Sequence, residues 1–221
     1  MDHSNEQSLR TGLVDAYRRL FDLGLMNQST GNVSCRIEGG MLISCSGATA
    51  ENLSAERVVK VRNDGTWEAG LDPSSEWRMH LQVYQHHPKA HAVVHTHSDY
   101  CVAMACNSLA LPGFHYMVAT FGGRDVPCVP YSTFGSEQLA KDAAAALSHR
   151  FACLLGSHGM ICRGADLVSA VSHAEWLEIL CRHYWLAMQL GEPKILTDEE
   201  WSRFFDQAEK LSYSAFTTPT S

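Results

Sequence analysis

The feature that most constrains this chain is a short apolar run ending in two histidines, residues 92–98 with the sequence AVVHTHS. Side chains two residues apart on a β-strand project from the same face, so His95 and His97 would point their imidazoles to one side. Two neutral ring nitrogens held in this way make half of a metal site. A simple pair of polar residues at a strand end is the alternative, so the rest of the chain must supply further ligands.

Length and composition favour one globular domain that does not bind nucleic acid. The chain has 221 residues, which suits a single hydrophobic core, and we expect one domain over residues 1–221. Hydrophobic residues make up 45% of the chain and charged residues 19%, as in ordinary soluble proteins. The formal net charge is −7 and the basic residues are scattered, which disfavours nucleic acid as a partner.

The cysteines and the N-terminus indicate a reducing compartment. The eight cysteines form no C-x-x-C pair and several lie in apolar runs, so we interpret them as buried thiols. The first residues lack the basic and apolar blocks of a secretory signal. Residues 100–123 carry no charge, but polar residues and a Pro-Gly pair interrupt them, which favours buried interior over a membrane span. We therefore expect a cytoplasmic protein without a membrane partner.

Hydrophobic periodicity and turn residues predict helices that alternate with short strands. The apolar spacing of the first segment predicts a helix that Gly24 ends, and Gly39-Gly40 predicts a hairpin. Prolines and capping residues mark the later helix boundaries. The predicted helices cover residues 6–23, about 74–87, 98–106, 137–148, 167–190 and 198–211. The predicted strands cover residues 32–36, 41–45, 58–61, 92–96, 126–129 and 151–156.

Three polar segments at the ends of predicted elements could bind an anion. Residues 29–34 (STGNVS) and 46–49 (SGAT) offer backbone N–H groups and hydroxyls, although each segment taken alone is more often a plain turn than an anion site. Residues 73–76 (PSSE) predict a helix start whose serines and free amides would form a further anion seat. Glu76 falls in that first turn, where the helix dipole favours a carboxylate, and a capping role alone is the alternative.

A third histidine, His158, follows the predicted strand 151–156 and could join His95 and His97. Catalytic zinc takes three protein ligands and keeps a position open for substrate. Glu76 could then be a fourth ligand in the resting state, or a base beside the metal. Zinc on a carbonyl oxygen acidifies the neighbouring C–H, so a carboxylate base is sufficient. Combined with an anion seat, this chemistry implies a small phosphorylated ketose as substrate.

Six motifs, in this order along the chain, resemble those of the class II aldolase/adducin family. The resemblance runs from the first helix to the last. It implies an α/β fold with three α/β/α layers around a mixed, mostly antiparallel central sheet, and a homotetramer with active sites between subunits. The motifs are TGNVS (30–34), the Ser46-Gly47 loop, PSSEW (73–77), VHTH (94–97), HYM (115–117) and SHG (157–159).

The resemblance also implies roles for individual residues. Glu76 matches a glutamate that ligates zinc and also transfers protons. Tyr116 matches a tyrosine that protonates the aldehyde side from a neighbouring subunit. Tyr213 is the nearest candidate for an aromatic residue in a mobile C-terminal tail, where the sequence departs from the family into SAFTT (214–218). The zinc ligands are matched by His95, His97, His158 and Glu76. The phosphate-binding positions are matched by Gly31, Asn32, Ser46, Gly47, Ser74 and Ser75.

The activity that the resemblance implies is reversible cleavage of a ketose 1-phosphate like L-fuculose 1-phosphate. The C3–C4 bond would break through a metal-stabilised enediolate to give dihydroxyacetone phosphate and an aldehyde, with Glu76 moving the proton and Tyr116 assisting at the aldehyde. Relatives with this kind of site act as 4-epimerases, dehydratases or 3-oxo acid phosphate decarboxylases, and fold alone does not choose among them. Adducin head domains offer a non-catalytic alternative, but they lack the metal site that this chain's histidines and Glu76 would form.

Overall fold

A seven-stranded mixed sheet forms the centre of the molecule. The computed structural model describes residues 3–213 and residue 216. The strands are β1 (Asn32–Ile37), β2 (Gly40–Ser44), β3 (Val58–Arg62), β4 (Ala92–Thr96), β5 (Cys128–Val129), β6 (Ala152–Leu155) and β7 (Gly159–Gly164). Their order across the sheet is β3-β2-β1-β4-β7-β6-β5, and only the β5/β6 pair is parallel. The expected α/β class with a mostly antiparallel sheet is confirmed.

The part of the chain that the structure describes contains six α-helices. They are α1 (His3–Asp22), α2 (Trp77–His86), α3 (Asp99–Cys106), α4 (Glu137–Ala146), α5 (Leu167–Met188) and α6 (Asp198–Lys210). Helices α1 and α5 pack on each other and on the central strands, while α2 packs on α4. Two short 3-10 helices cover Ala55–Arg57 and Tyr116–Phe121. Within the described residues, no helix has the length and apolar character needed to cross a bilayer.

The side chains of β1 alternate between two helical layers. Ser34 faces α2, where its hydroxyl contacts His80 and Tyr84. Cys35 faces the other way and borders a groove between α1 and α5. Because successive strand residues point to opposite faces, this alternation places the sheet between the two layers of helices. The three-layer arrangement follows from it.

Strand β5 is shorter than the predicted strand 126–129. Val126 exchanges both of its backbone hydrogen bonds with Leu111, at 2.9 Å each, and so belongs to a separate bridge. Pro127 has no N–H to donate to a ladder. The apolar sequence pattern thus runs through Val126, which pairs with Leu111, and on into β5, which pairs with β6.

Strand β7 is an element that the sequence pattern does not predict. It begins and ends with glycine and contains Arg163, a combination typical of a loop. Arg163 is nevertheless buried, and its Nε donates to the carbonyls of Leu147 and Arg150 at 3.1 and 3.2 Å. The arginine satisfies backbone acceptors inside the fold, which is why a charged residue is tolerated in a buried strand.

The pairing of β4 fixes which residues meet at the centre of the sheet. His95 lies opposite Asn32 of β1 on one side and opposite Ile161 of β7 on the other. Thr96 pairs with Met160 of β7, two residues after His158. The β6–β7 connection is therefore brought to the end of β4, where the two predicted metal-binding histidines lie.

Gly159 permits this close approach, because a methyl group there would lie 2.4 Å from the carbonyl oxygen of Thr96. We expect Gly159→Ala to lower the free energy of unfolding by about 1–3 kcal/mol, as overpacking does. Gly12→Ala in α1 is the matched control, since its methyl group would meet Leu167 at an ordinary 3.5 Å and the helix should gain about 0.5–1 kcal/mol. Urea unfolding measures both. Wild-type stability in Gly159→Ala would contradict the described packing of β7 on β4.

Candidate active site

Three imidazoles and one carboxylate converge at the end of β4. The Glu76 carboxylate lies 2.9 Å from His95 Nε2 through Oε2 and 3.3 Å from His158 Nε2 through Oε1. His95 Nε2 and His97 Nε2 are 2.9 Å apart. The three rings form a near-equilateral triangle, with 4.8 Å between the centroids of each pair. Each of the four residues has a candidate ligand atom within 4.8 Å of the other three.

The orientation of His95 is set by the strand beside it. Its Nδ1 lies 2.8 Å from the Met160 carbonyl oxygen, which can only accept, so Nδ1 carries the proton and donates it. The lone pair is then on Nε2, the atom that faces His97 and Glu76. A hydrogen bond of this kind to a carbonyl is the usual device that fixes the tautomer of a metal-binding histidine.

His97 lies between the end of β4 and the start of α3, and a distant glutamate holds that helix start in place. The Ser98 side chain makes no capping hydrogen bond. Instead, the Glu178 carboxylate on α5 accepts the N–H groups of Tyr100 and Cys101 at 2.8 and 3.0 Å. A carboxylate at a helix N-terminus also complements the helix dipole. Glu178 follows Tyr100 by 78 residues in the sequence, so only the fold brings its carboxylate to the start of α3. Sequence analysis therefore missed this role.

Glu76 does not occupy the first turn of α2, which corrects the sequence expectation. The helix starts at Trp77, and the Glu76 side chain makes no capping hydrogen bond. Its backbone N–H is directed to Ser74 Oγ at 3.4 Å, and Asn32 Nδ2 donates to its carboxylate Oε2 at 3.2 Å. The purely capping alternative is therefore wrong, since the carboxylate turns away from the helix and toward the histidines.

The electrostatics of the cluster keep the carboxylate ionised. Burial alone would raise the pKa of Glu76, but His95, His158 and the Asn32 hydrogen bond together lower that pKa below its usual value. Burial and the neighbouring histidines lower the pKa of His97 and of His158 to about 4. His95 is also fully buried, yet the Glu76 carboxylate raises its pKa. At neutral pH, Glu76 is charged while His97 and His158 are neutral, which is the protonation state that metal binding needs from these three residues.

These residues fit a divalent metal ion. Two donors placed about 2.1 Å from a tetrahedral zinc lie about 3.4 Å apart, close to the donor separations in this cluster. Glu76 Oε1 is buried and lacks a hydrogen-bond partner among the described residues, although it is near His158. A buried charged oxygen in that state is costly unless a cation satisfies it. Three imidazole nitrogens and one carboxylate also form a typical donor set for a catalytic metal.

A cleft of about 200 Å³ opens onto the cluster. Its wall includes Glu76, His97 and His158, together with all six residues that sequence analysis assigned to phosphate binding: Gly31, Asn32, Ser46, Gly47, Ser74 and Ser75. Ser46, Gly47 and Ser75 are exposed, whereas Asn32 and Ser74 are buried. The exposed ring of Phe134 also borders the cleft. The one sequence feature that could have indicated this role is the position of Phe134 between small and polar residues.

The two tyrosines predicted from the resemblance lie outside this cleft. Tyr116 is 49% exposed, and its ring lies on His115 at 4.8 Å and near Phe204 at 5.4 Å between centroids. Tyr213 is 58% exposed and has its ring 6.1 Å from that of Phe216. The remainder of the predicted tail, residues 214, 215, 217 and 218, lies outside the described residues. One copy of the chain thus brings neither tyrosine to its own cluster of Glu76 and the three histidines.

Comparison with known proteins agrees with the geometry of the cluster. The family described as "Class II Aldolase and Adducin N-terminal domain" matches residues 11–185. A solved structure of an L-fuculose 1-phosphate aldolase superposes with a TM-score of 0.86 at 33% identity, covering 93% of this chain and 96% of the other. The chain therefore belongs to the class II aldolase/adducin family and is an aldolase within it, a carbon–carbon lyase.

Two relatives by sequence are enzymes of the same family. The 5-methylthioribulose-1-phosphate/5-deoxyribulose-1-phosphate aldolase of Rhodospirillum rubrum is 41% identical over 200 residues, covering 90% of each chain. The L-fuculose phosphate aldolase of Escherichia coli O6:H1 is 40% identical over 189 residues, covering 85% of this chain and 88% of the relative. Both alignments span nearly the whole chain, so the relatives share its architecture rather than one motif.

Zinc should stabilise the metal-free protein, because a ligand that binds only the native state adds about 2.7 kcal/mol at a hundredfold excess over Kd. His97→Ala removes one of the four donors and should lose most of this gain. The exposed His91 is not part of the cluster, so His91→Ala is the control and should keep it. Calorimetric scans with and without zinc measure the effect. An undiminished zinc effect in His97→Ala would remove His97 from the ligand set.

Proposed function

We propose that this protein is a zinc-dependent aldolase that reversibly cleaves a ketose 1-phosphate like L-fuculose 1-phosphate. The products would be dihydroxyacetone phosphate and an aldehyde. The observation that carries the proposal is the ionised, buried Glu76 carboxylate among three imidazoles, at the base of a cleft whose rim offers anion-binding groups. A non-catalytic, adducin-like role is disfavoured because all four metal-binding side chains are present and converge.

In this proposal, Glu76 moves the proton. In the direction of synthesis, the ionised Glu76 carboxylate removes a proton from C3 of dihydroxyacetone phosphate, and the electron pair of that C–H bond passes into the enediolate. The enediolate carbon then attacks the aldehyde carbon to form the C3–C4 bond, and Tyr116 of a neighbouring subunit gives its proton to the aldehyde oxygen, which becomes the C4 hydroxyl. Cleavage runs through the same steps in reverse, and proton exchange with solvent restores both side chains. His95, His97 and His158 would hold a divalent metal ion, whose positive charge would offset the negative charge that develops on the substrate oxygens.

The rim of the cleft would hold the substrate phosphate. Ser46 and Gly47 form one exposed turn there, and Ser75 stands on the opposite segment just before α2. Backbone N–H groups and hydroxyls in such turns bind phosphate oxygens without a charged side chain. The sequence makes Asn32 a candidate for phosphate binding, but its side-chain amide donates to Glu76. We therefore propose that Asn32 holds the Glu76 carboxylate in place instead of binding the phosphate.

We further propose a homotetramer whose active sites lie between subunits. Tyr116 is half exposed and does not line the cleft of its own chain, as expected for a proton donor that serves a neighbouring subunit. Tyr213 is exposed as well, and it would act from the C-terminal segment. A cytoplasmic location fits the described cysteines, all of which are free thiols.

A second candidate substrate deserves the same test. The relative from Rhodospirillum rubrum is an aldolase for 5-methylthioribulose 1-phosphate and 5-deoxyribulose 1-phosphate. Its chemistry would be the same, because both substrates break the bond next to the dihydroxyacetone phosphate unit. Only the aldehyde end of the substrate differs. Epimerase, dehydratase or decarboxylase activity would require a different fate for the enediolate.

A substrate panel tests the proposed reaction directly. The zinc-loaded enzyme should release dihydroxyacetone phosphate from L-fuculose 1-phosphate or from a 5-deoxyribulose 1-phosphate, as measured by coupled reduction of the triose phosphate. L-Rhamnulose and ribulose phosphates complete the panel and report on stereochemistry at the aldehyde end. Absence of triose phosphate from every member, together with a rearranged or dehydrated product, would exclude aldol cleavage.

Glu76→Gln should keep the fold and lose proton transfer. The amide retains the size of the side chain but cannot accept the substrate proton, so exchange of the C3 proton of dihydroxyacetone phosphate with solvent should fall about 10²-fold or more. Proton NMR in deuterated buffer measures this exchange. Glu51→Gln changes an exposed carboxylate outside the cleft and is the control. Exchange at the wild-type rate in Glu76→Gln would show that another group is the base.

A further inference from the structure

A ladder of polar contacts joins β1 to α2 and to the segments on either side of that helix. Asn32, Ser34 and Arg36 alternate with apolar residues on β1 and face the helix. Asn32 contacts Glu76, directly before α2. Ser34 contacts His80 and Tyr84, and Arg36 donates to the carbonyls of Tyr84 and His87 at 2.7 and 2.8 Å.

The spacing of this ladder follows from the geometry of the two elements. Two residues of a strand advance about 6.6 Å, and four residues of a helix advance about 6 Å. Residues 32, 34 and 36 of β1 therefore stay in step with residues 76, 80 and 84 along the helix. A shift of α2 by one residue would break the contacts of Asn32 and Ser34 together. The ladder thus fixes the register between the strand and the helix.

The central contact of the ladder is completely buried. Ser34 Oγ lies 2.7 Å from His80 Nδ1 and 2.8 Å from the Tyr84 hydroxyl. Ser34 and His80 have no exposed surface, and Tyr84 is 3% exposed. His80 Nε2 has no hydrogen-bond partner among the described residues. A buried polar atom without a partner is costly, and in this contact that cost falls on His80 Nε2 alone.

The hydrogen-bond directions in this contact are assigned from the protons available, since the two hydroxyls and the imidazole can each donate or accept. Burial lowers the pKa of His80 to about 3, so the ring is neutral and one nitrogen accepts. The Tyr84 hydroxyl has one proton, and the acceptor found for it is Ser34 Oγ. Ser34 then uses its own proton on His80 Nδ1. In this arrangement His80 is an acceptor at Nδ1 and carries its proton on Nε2.

We propose that His80 is a positioning residue for Glu76. The proposal rests on the proposed function of Glu76 as metal ligand and base. Glu76 directly precedes Trp77, the first residue of α2, so the position of the helix sets the position of its carboxylate. His95 on β4 lies opposite Asn32 on β1, so a helix that is fixed to β1 is also fixed relative to His95. By tying α2 to β1, the His80–Ser34 contact holds the carboxylate at a constant distance from the imidazoles.

Two variants of His80 separate this role from simple packing. His80→Asn places an amide oxygen near the former Nδ1, where it can accept from Ser34. His80→Gln fills the site but carries its amide farther from the backbone, beyond Ser34. His87→Gln is the matched control, because His87 is also buried and at the end of α2, but its ring contacts the Ala144 carbonyl on α4 at 2.8 Å.

Three measurements are made on each full-length variant: zinc affinity by chelator competition, thermal stability, and the C3-proton exchange of dihydroxyacetone phosphate per bound zinc. His80→Gln should lower zinc affinity and kcat about tenfold or more, as loss of a supporting residue around a metal site does. KM for dihydroxyacetone phosphate should stay unchanged, because the cleft rim is intact. His80→Asn should recover most of both losses. His87→Gln should lose stability alone.

Two outcomes would overturn the proposal. One is a His80→Gln enzyme with wild-type zinc affinity and kcat, whatever its stability. The other is equal impairment of the two His80 variants, since then the Ser34 contact would not be what matters. If His80→Gln does not fold, Ser34→Ala removes the same contact with one atom and should lower zinc affinity in the same direction. If the wild type exchanges no proton, the aldolase proposal fails, and zinc affinity still decides the role of His80.

Discussion

The backbone pairing of β4 with β1 and β7 is the constraint on which the rest of the site depends. β4 lies at the centre of the sheet, and its register sets His95 opposite Asn32 and Ile161. The same register brings the loop before β7, and hence His158, to the end of the strand. Gly31 allows the other neighbour to approach: its φ is +87°, and a methyl group there would lie 2.8 Å from the His95 carbonyl oxygen.

Around this frame, the protein concentrates buried polar groups that an ordinary core would exclude. A buried carboxylate is unfavourable unless cations or donors surround it, and Glu76 has Asn32 on one side and imidazoles on the other. Hydrogen bonds from outside the cluster support two of the histidines: the Met160 carbonyl orients His95, and Glu178 fixes the start of the helix that follows His97. The buried polar groups lower the stability of the fold, but they hold the cluster in one geometry before a metal or a substrate binds.

Much of this site could be predicted from local sequence, and the remainder could not for a physical reason. The placement of His95 and His97 follows from strand periodicity, and the predicted helices 167–190 and 198–211 begin where α5 and α6 begin, each after a capping residue, Asp166 and Thr197. Strand β7 was not predicted, because Arg163 can be buried in it only by donating to the carbonyls of Leu147 and Arg150, and the local sequence pattern does not show those contacts. The roles of Glu178 and His80 depend in the same way on packing, which a spacing rule does not describe.

The most direct test of the account is a crystal structure of the zinc-loaded protein with anomalous diffraction at the zinc edge. The account predicts one strong peak for each copy of the chain, about 2.1 Å from the Nε2 atoms of His95, His97 and His158, with a Glu76 carboxylate oxygen as a further ligand. A peak at another place, or a zinc that leaves one of these three imidazoles unbound, would contradict it.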